Sequence, residues 1–147
     1  MKHACLLIRT LFFIGTVFAV RAAWAGGCLC NYTPATLLEV IDGDTLVMEV
    51  SGKRETIPLA KIIAPRLAPD PQSNGVWCAA EGEKATKAKD YASTLLSKAS
   101  EITLDEQQRD ESGEISAVVY IDNISLGQEL LYKYLVIESD RTPDWCG

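Results

Sequence analysis

Val40-Ile41-Asp42-Gly43-Asp44-Thr45-Leu46-Val47 is the stretch that decides the fold, because it joins two strand-forming runs through a tight-turn dipeptide. Valine, isoleucine and threonine favour strands, and Asp-Gly between two such runs is typical of a hairpin turn. The same residues place two carboxylates and a hydroxyl within four positions. The stretch therefore predicts the first hairpin of a sheet and marks a candidate site.

Further strands are predicted on both sides of this turn, over residues 35–41, 45–50, 55–63, 102–104 and 114–121. Pro58 interrupts the third of them, and because proline cannot donate to a ladder, it must face an edge or a bulge. Residues 64–77 form a long, proline-rich loop, and residues 107–113 a polar turn.

Two helices complete the pattern. Alanine and leucine recur at helical spacing over residues 81–99, and the lysines there are more typical of a solvated face than of a binding patch. Ser125 and Gln128 have capping-box spacing and open a second helix that extends to Tyr134. The order predicts an α+β, mainly β fold: a five-stranded OB-type barrel with a helix after strand 3 and a C-terminal helix.

The N-terminal residues 1–25 have the three regions of a secretory signal peptide: a positive start, an apolar run over 11–20 and Ala23-Trp24-Ala25 for cleavage. The apolar run is too short for the ~20 residues of a membrane span. We therefore expect a secreted or periplasmic protein, with a Cys-rich lead over 26–34 and one domain over 35–147. Lipidation at Cys28 is an alternative with a poor signal.

Charge and histidine content exclude several classes of function. The formal net charge is −6, and it becomes −9 after cleavage, because Lys2, Arg9 and Arg21 are lost and no acidic residue precedes the cleavage site. This acidity argues against strong nucleic-acid binding, although a local basic groove remains compatible with it. His3 is the only histidine, so the mature chain cannot form a Ser-His or Cys-His triad or a His-ligated zinc site.

Four cysteines remain after cleavage: Cys28, Cys30, Cys78 and Cys146. An even count in a small exported domain favours two disulfides, with three possible connectivities. A Cys28–Cys30 bond would close a very tight ring, and a metal or redox role for this pair is an alternative. We expect Cys146 to tie the C-terminal tail to the domain.

At this point the chain resembles the staphylococcal nuclease (thermonuclease) superfamily. The resemblance rests on Ile41-Asp42-Gly43-Asp44-Thr45, Ile62-Ile63-Ala64-Pro65, the helix over 83–96 and the strand over 116–121, and spans about residues 36–137. Exported bacterial members similarly carry a cysteine before the first helix and a Trp-Cys end, here Cys78 and Trp145-Cys146. The family's activity is calcium-assisted phosphodiester hydrolysis, so calcium is the implied cofactor if the chain is active.

The resemblance implies which residues stand at the calcium site and at the general base. Asp44 matches the family's first calcium ligand and is an aspartate here as well. Ile63 stands at the second ligand. Arg66 stands at the general-base glutamate, which inverts the charge.

The phosphate-binding positions are also substituted. Pro58 stands at the first phosphate-binding arginine and Glu114 at the second, while Ser112 stands at the nucleotide-stacking tyrosine. No catalytic residue is therefore assigned, and Asp44 is interpreted as a turn residue and a remnant calcium ligand. The favoured hypothesis is an exported nuclease-like domain without phosphodiesterase activity, acting as a binding or accessory module for an unknown ligand or protein partner.

The alternative hypothesis is a calcium-dependent nuclease with a rearranged site. It requires other side chains to supply the missing groups. Arg54, Lys61 or Arg66 would have to approach a phosphate, and Asp70 would have to supply a metal ligand from the long loop.

Overall fold

The computed structural model describes residues 32–73 and 75–147. The predicted signal peptide, almost all of the Cys-rich lead, and Cys28 and Cys30 lie outside these residues.

The described chain is an α+β, mainly β structure, as predicted. Its elements in chain order are β1 (Thr33–Val40), β2 (Thr45–Val50), β3 (Lys53–Pro58), β4 (Ile62–Ile63), α1 (Ala79–Lys98), β5 (Ile102–Arg109), β6 (Ile115–Ile121), β7 (Ile124–Ser125), α2 (Leu126–Tyr132) and β8 (Ile137–Glu138). A six-stranded antiparallel sheet has the order β3-β2-β1-β5-β6-β7, and β4 pairs with β8 separately.

The predicted first hairpin is confirmed. β1 and β2 pair from Ala35 opposite Val50 to Val40 opposite Leu46, and the Ile41 N–H closes the turn by donating to the Thr45 carbonyl at 3.0 Å. Alternate side chains of a strand lie on the same face, and in β2 the face that carries Leu46 and Met48 packs in the core, where both side chains are fully buried.

The prediction of a single third strand over 55–63, interrupted by Pro58, was wrong in that these residues form two separate strands. β3 ends at Pro58, and Lys61, with φ of 69°, turns the chain so that β4 leaves the large sheet. Pro58 does lie on an edge strand of the sheet, as its missing N–H requires. Between the two strands, Leu59 forms a parallel bridge with Ala117, and the Ala60 N–H donates to the Ala117 carbonyl at 2.8 Å.

Two other boundaries differ from the prediction. Residues 107–109, expected in a turn, lie in β5 beyond an irregularity between Asp105 and Gln108. The Ser125 hydroxyl caps α2 by accepting the Gln128 N–H, but the helix ends at Tyr132. The end is set by Tyr134, whose φ of 57° is the left-handed conformation that stops a helix.

The apolar stripe of α1 is confirmed. Ala85, Ala88, Ala92 and Leu96 are buried against the sheet, and Glu81 is the one buried charged residue among those described. Of the helices in the described ranges, neither combines the length and apolar character that a membrane span requires.

Candidate functional site

Asp44 lies half-buried in the first turn and is hydrogen-bonded through both carboxylate oxygens. The Thr45 hydroxyl donates to Asp44 Oδ1 at 3.1 Å, and the Ala64 N–H donates to Oδ2 at 2.5 Å. The Asp44 N–H in turn donates to Asp42 Oδ1 at 3.0 Å, which is the local aspartate turn predicted from the sequence. Asp44 therefore joins the first turn to the segment after β4.

Gly43 allows this turn to pack directly against α1. A Cβ at Gly43 would lie 2.7 Å from the Ala88 Cβ and 3.1 Å from the Ala64 Cβ, closer than carbon atoms normally approach. The glycine is thus required by close packing, which also fixes the position of Asp44.

Burial raises the pKa of Asp44 from 3.8 to about 6. The Ala64 N–H opposes the shift, and the neighbouring Asp42 charge adds to it. A carboxylate with this pKa is partly protonated just below neutral pH.

Arg66, which the resemblance would place at the general-base position, is held by the buried Glu81. Arg66 Nε donates to Glu81 Oε1 at 2.8 Å and Nη2 donates to Oε2 at 3.1 Å, while the Arg66 N–H also donates to Oε1 at 3.0 Å. Glu81 is 1% exposed, and its pKa is lowered chiefly by the hydrogen bonds from the Arg66 side chain. The guanidinium is a structural partner of Glu81.

The same arginine organises the long loop. Arg66 Nη2 donates to the carbonyls of Gly75 and Val76 at 3.3 Å, and the Trp77 indole N–H donates to the Arg66 carbonyl at 3.0 Å. The pair with Glu81 was not predicted from the sequence. The sequence feature that could have indicated it is the spacing of Glu81 from Ala85 and Ala88, which places a carboxylate on the apolar stripe of α1.

Pro58 and Glu114 are brought together, as the resemblance implies for two positions of one site. Both line a groove of about 260 Å³ beside β5 and β6. Arg109 lines the same groove and was missed by the sequence analysis. Its Nη2 lies 3.6 Å from Glu55 Oε1, and its Nη1 donates to the Gly113 carbonyl. The Ser112 hydroxyl, at the position of the stacking tyrosine, donates to Asp110 Oδ1 at 2.7 Å.

The groups considered as substitutes are engaged elsewhere. Arg54 pairs with Glu39 at 3.4 Å, and Lys61 pairs with Glu106. Asp70 is exposed, and its Oδ1 accepts the Gln72 N–H at 2.9 Å. All four arginines in the described ranges are paired with carboxylates, the fourth being Arg141 with Glu138 at 3.0 Å.

The oxygen atoms around Asp44 do not form a calcium site. Ile63 supplies no oxygen from its side chain, and both Asp44 oxygens already accept hydrogen bonds. Calcium takes six to eight oxygen ligands. Within residues 32–73 and 75–147, no three His, Cys, Asp or Glu side chains are grouped so that they could hold a metal.

Cys78 and Cys146 form a disulfide, with 6.0 Å between their Cα atoms. The prediction that Cys146 ties the tail to the domain is therefore confirmed. The other three cysteines, Cys5, Cys28 and Cys30, lie outside the described residues, so any pairing among them stays a prediction.

No family model matches this chain, and a comparison with curated proteins also finds no match.

Proposed function

We propose that this protein is an exported, nuclease-like domain without phosphodiesterase activity that acts as a binding or accessory module. The strand order supports an OB-type barrel built from β1, β2, β3, β5 and β6, with α1 inserted after β4. The parallel bridge from Leu59 to Ala117 supports closure between the ends of β3 and β6. These features are also what the resemblance to the staphylococcal nuclease superfamily implies.

The Arg66–Glu81 pair is the observation that carries this proposal. A general base must offer a carboxylate to the attacking water. This position instead holds an arginine whose guanidinium donates two hydrogen bonds, and whose backbone N–H donates a third, to a buried glutamate. Rotating Arg66 away would leave Glu81 without its charged partner, and an unpaired buried charge is strongly unfavourable. The pair therefore opposes any rearrangement that would empty the position for a water molecule.

The phosphate side of the site supports the same conclusion. Pro58 offers no cation, and Glu114 places a carboxylate at the groove where a phosphodiester would lie. Removing a single transition-state donor costs about 10²–10³ in rate. The loss of both arginines together with the base is expected to leave no useful catalysis.

Export is supported by the Cys78–Cys146 disulfide, because disulfides persist in oxidising compartments.

The test is hydrolysis of single-stranded and duplex DNA by the purified mature protein, with calcium or with a chelator. We expect equal rates in the two conditions and no effect of Asp44→Ala. Calcium-dependent cleavage that is abolished by Asp44→Ala would overturn the proposal.

One observation favours the alternative, a calcium-dependent nuclease with a rearranged site. Arg109 lies in the groove with Pro58 and Glu114 and offers a cation where the family's arginines are missing. Its contact with Glu55 is long, at 3.6 Å, so it could turn toward a phosphate. The same hydrolysis assay with Arg109→Ala tests this alternative, which requires calcium-dependent cleavage that falls when Arg109 is removed.

A further inference from the structure

A second groove lies between α1 and the C-terminal tail. Its volume is about 440 Å³, and it shares no lining residue with the Pro58–Glu114 groove. Three elements line it: α1, the segment after α2, and the tail. The lining residues are Ala80, Glu83, Lys84, Lys87, Lys133, Tyr134, Leu135 and Trp145.

The groove concentrates positive charge on an acidic protein. It holds three lysines against one glutamate, in a chain whose net charge is −6. Lys84, Lys87 and Lys133 have no carboxylate within 4.0 Å in the described residues, whereas every arginine there is paired with one. No ion pair therefore neutralises these three ammonium groups. Lys133 Nζ lies over the rings of Tyr91 and Tyr132, at 5.9 and 5.6 Å from their centroids, and these contacts do not neutralise its charge.

Aromatic side chains lie among these lysines. Tyr134 is 81% exposed and is turned outward at the end of α2, where its backbone is left-handed. Trp145 lies beneath Lys84, whose Nζ is 4.9 Å from the ring centroid. The adjacent Cys146 is bonded to Cys78 at the start of α1, so the disulfide fixes Trp145 beside the helix.

We infer that this groove binds an acidic segment of a protein partner. Carboxylates of the segment pair with the three lysines, and its apolar side chains contact Tyr134 and Leu135. The concave shape and mixed apolar and basic lining fit an extended peptide. This inference gives the proposed binding role a partner class, and it is tested without any phosphodiester, so its failure can be distinguished from failure of the proposed function.

Charge also argues against two other ligands for this groove, a polynucleotide and the protein's own N-terminal segment. A polynucleotide carries negative charge along its whole length, and the acidic protein beyond the groove repels it, whereas a short acidic segment meets only the groove. The protein's own residues 1–31 include no aspartate or glutamate, so the N-terminal segment lacks the complementary charge.

The experiment measures fluorescence anisotropy of a labelled peptide that alternates aspartate and phenylalanine, added to the signal-cleaved chain at low ionic strength. We expect saturable binding that weakens with added salt, and none with the asparagine or lysine versions of the peptide. The double variant Lys84→Glu/Lys87→Glu should weaken binding about tenfold, since it replaces two surface attractions by repulsions. Lys133→Glu with Tyr134→Ser, at the opposite wall, provides an independent variant with the same expected direction.

The matched control is Lys53→Glu/Lys89→Glu, which makes the same change of charge outside the groove and should alter the affinity less than twofold. Equal loss in both double variants would show a general charge effect and overturn the inference. The absence of binding to the aspartate peptide would also overturn it. So would tighter binding of oligothymidylate or anionic lipid vesicles than of the peptide at the same ionic strength.

Discussion

Asp44 stabilises the first turn through hydrogen bonds, while its burial disfavours its own negative charge. The Thr45 hydroxyl and the Ala64 N–H both favour the carboxylate, yet the pKa still rises to about 6 because burial outweighs them. A folded-state pKa above the ordinary value means that folding favours the protonated form. The resulting stabilisation is present below about pH 4 and is lost as the pH rises through 6.

The first prediction concerns this pH dependence. Relative to the wild type, Asp44→Asn should gain up to about 3 kcal/mol in free energy of unfolding between pH 4 and pH 7, since asparagine does not ionise and its oxygen can accept the Ala64 N–H. Urea denaturation across this range measures the difference, with the exposed Asp70→Asn as control. A wild-type-to-variant difference that is constant with pH would contradict the assignment.

The second prediction concerns Gly43. Gly43→Ala should lower the free energy of unfolding by about 1–3 kcal/mol, because the new methyl group would overlap Ala88 and Ala64. Gly127→Ala is the control, since a Cβ there would meet Ile62 at 3.7 Å and the Ser125 hydroxyl at 3.9 Å, which are ordinary contact distances. Ala88→Gly added to Gly43→Ala should recover part of the loss, and a double variant no more stable than Gly43→Ala would count against this packing.

At the scale of elements, the connection between β4 and α1 is fixed from both ends. Near the start of this connection, Arg66 bonds to Glu81 and to the carbonyls of Gly75 and Val76. At the end of the connection, the disulfide of Cys78 joins it to the C-terminal tail. Both ends of this segment are therefore held to the rest of the domain, while residues 67–73 between them are exposed.

The third prediction tests the Glu81 contacts. Glu81→Ala should destabilise the protein by about 2 kcal/mol, because hydrogen bonds to a charged group are lost and Arg66 keeps no charged partner. Glu83→Ala is the control. Glu83 lies two residues further along α1 and is exposed, so its removal should change the free energy of unfolding little. Proteolysis of the 66–77 segment should accelerate only in the Glu81 variant, and equal rates in both variants would contradict the role of Glu81.

The fourth prediction tests the disulfide. The bond joins residues 68 positions apart, so loop-closure entropy gives it a stabilisation of up to about 4 kcal/mol. Cys78→Ser/Cys146→Ser should lose most of this amount in chemical denaturation under oxidising conditions. A reducing agent should lower wild-type stability to the level of the double variant, and a large remaining gap would argue against this bond.

The sequence predicted the elements well where local pattern determines them. The first hairpin follows from Asp-Gly, and the apolar face of α1 follows from its alanine spacing. Prediction from the sequence failed where pairing with distant residues determines the structure. Residues 55–63 were expected to form one strand interrupted at Pro58, but Ile62–Ile63 pair with Ile137–Glu138 and form a separate strand, β4. The Arg66–Glu81 pair likewise cannot be predicted from local sequence pattern, since only the path of the loop brings the two residues together.

At the scale of the whole molecule, charge is distributed in a way that is unfavourable for a phosphodiesterase. The arginines, which best match phosphate geometry, are all paired with carboxylates in the described chain. Six lysines of the described chain have no carboxylate partner, and three of them, Lys84, Lys87 and Lys133, lie in one groove with Tyr134 and Trp145. Half of the unpaired lysines of the described chain are thus concentrated in this groove, which shares no lining residue with the groove of Pro58 and Glu114.

The most direct test of the central proposal, loss of phosphodiesterase activity, is the rate of DNA hydrolysis by the mature protein in calcium compared with the rate in a chelator. We predict that the two rates are equal, and that Asp44→Ala leaves both unchanged. A calcium-dependent rate well above the chelator control, abolished by Asp44→Ala, would contradict the proposal.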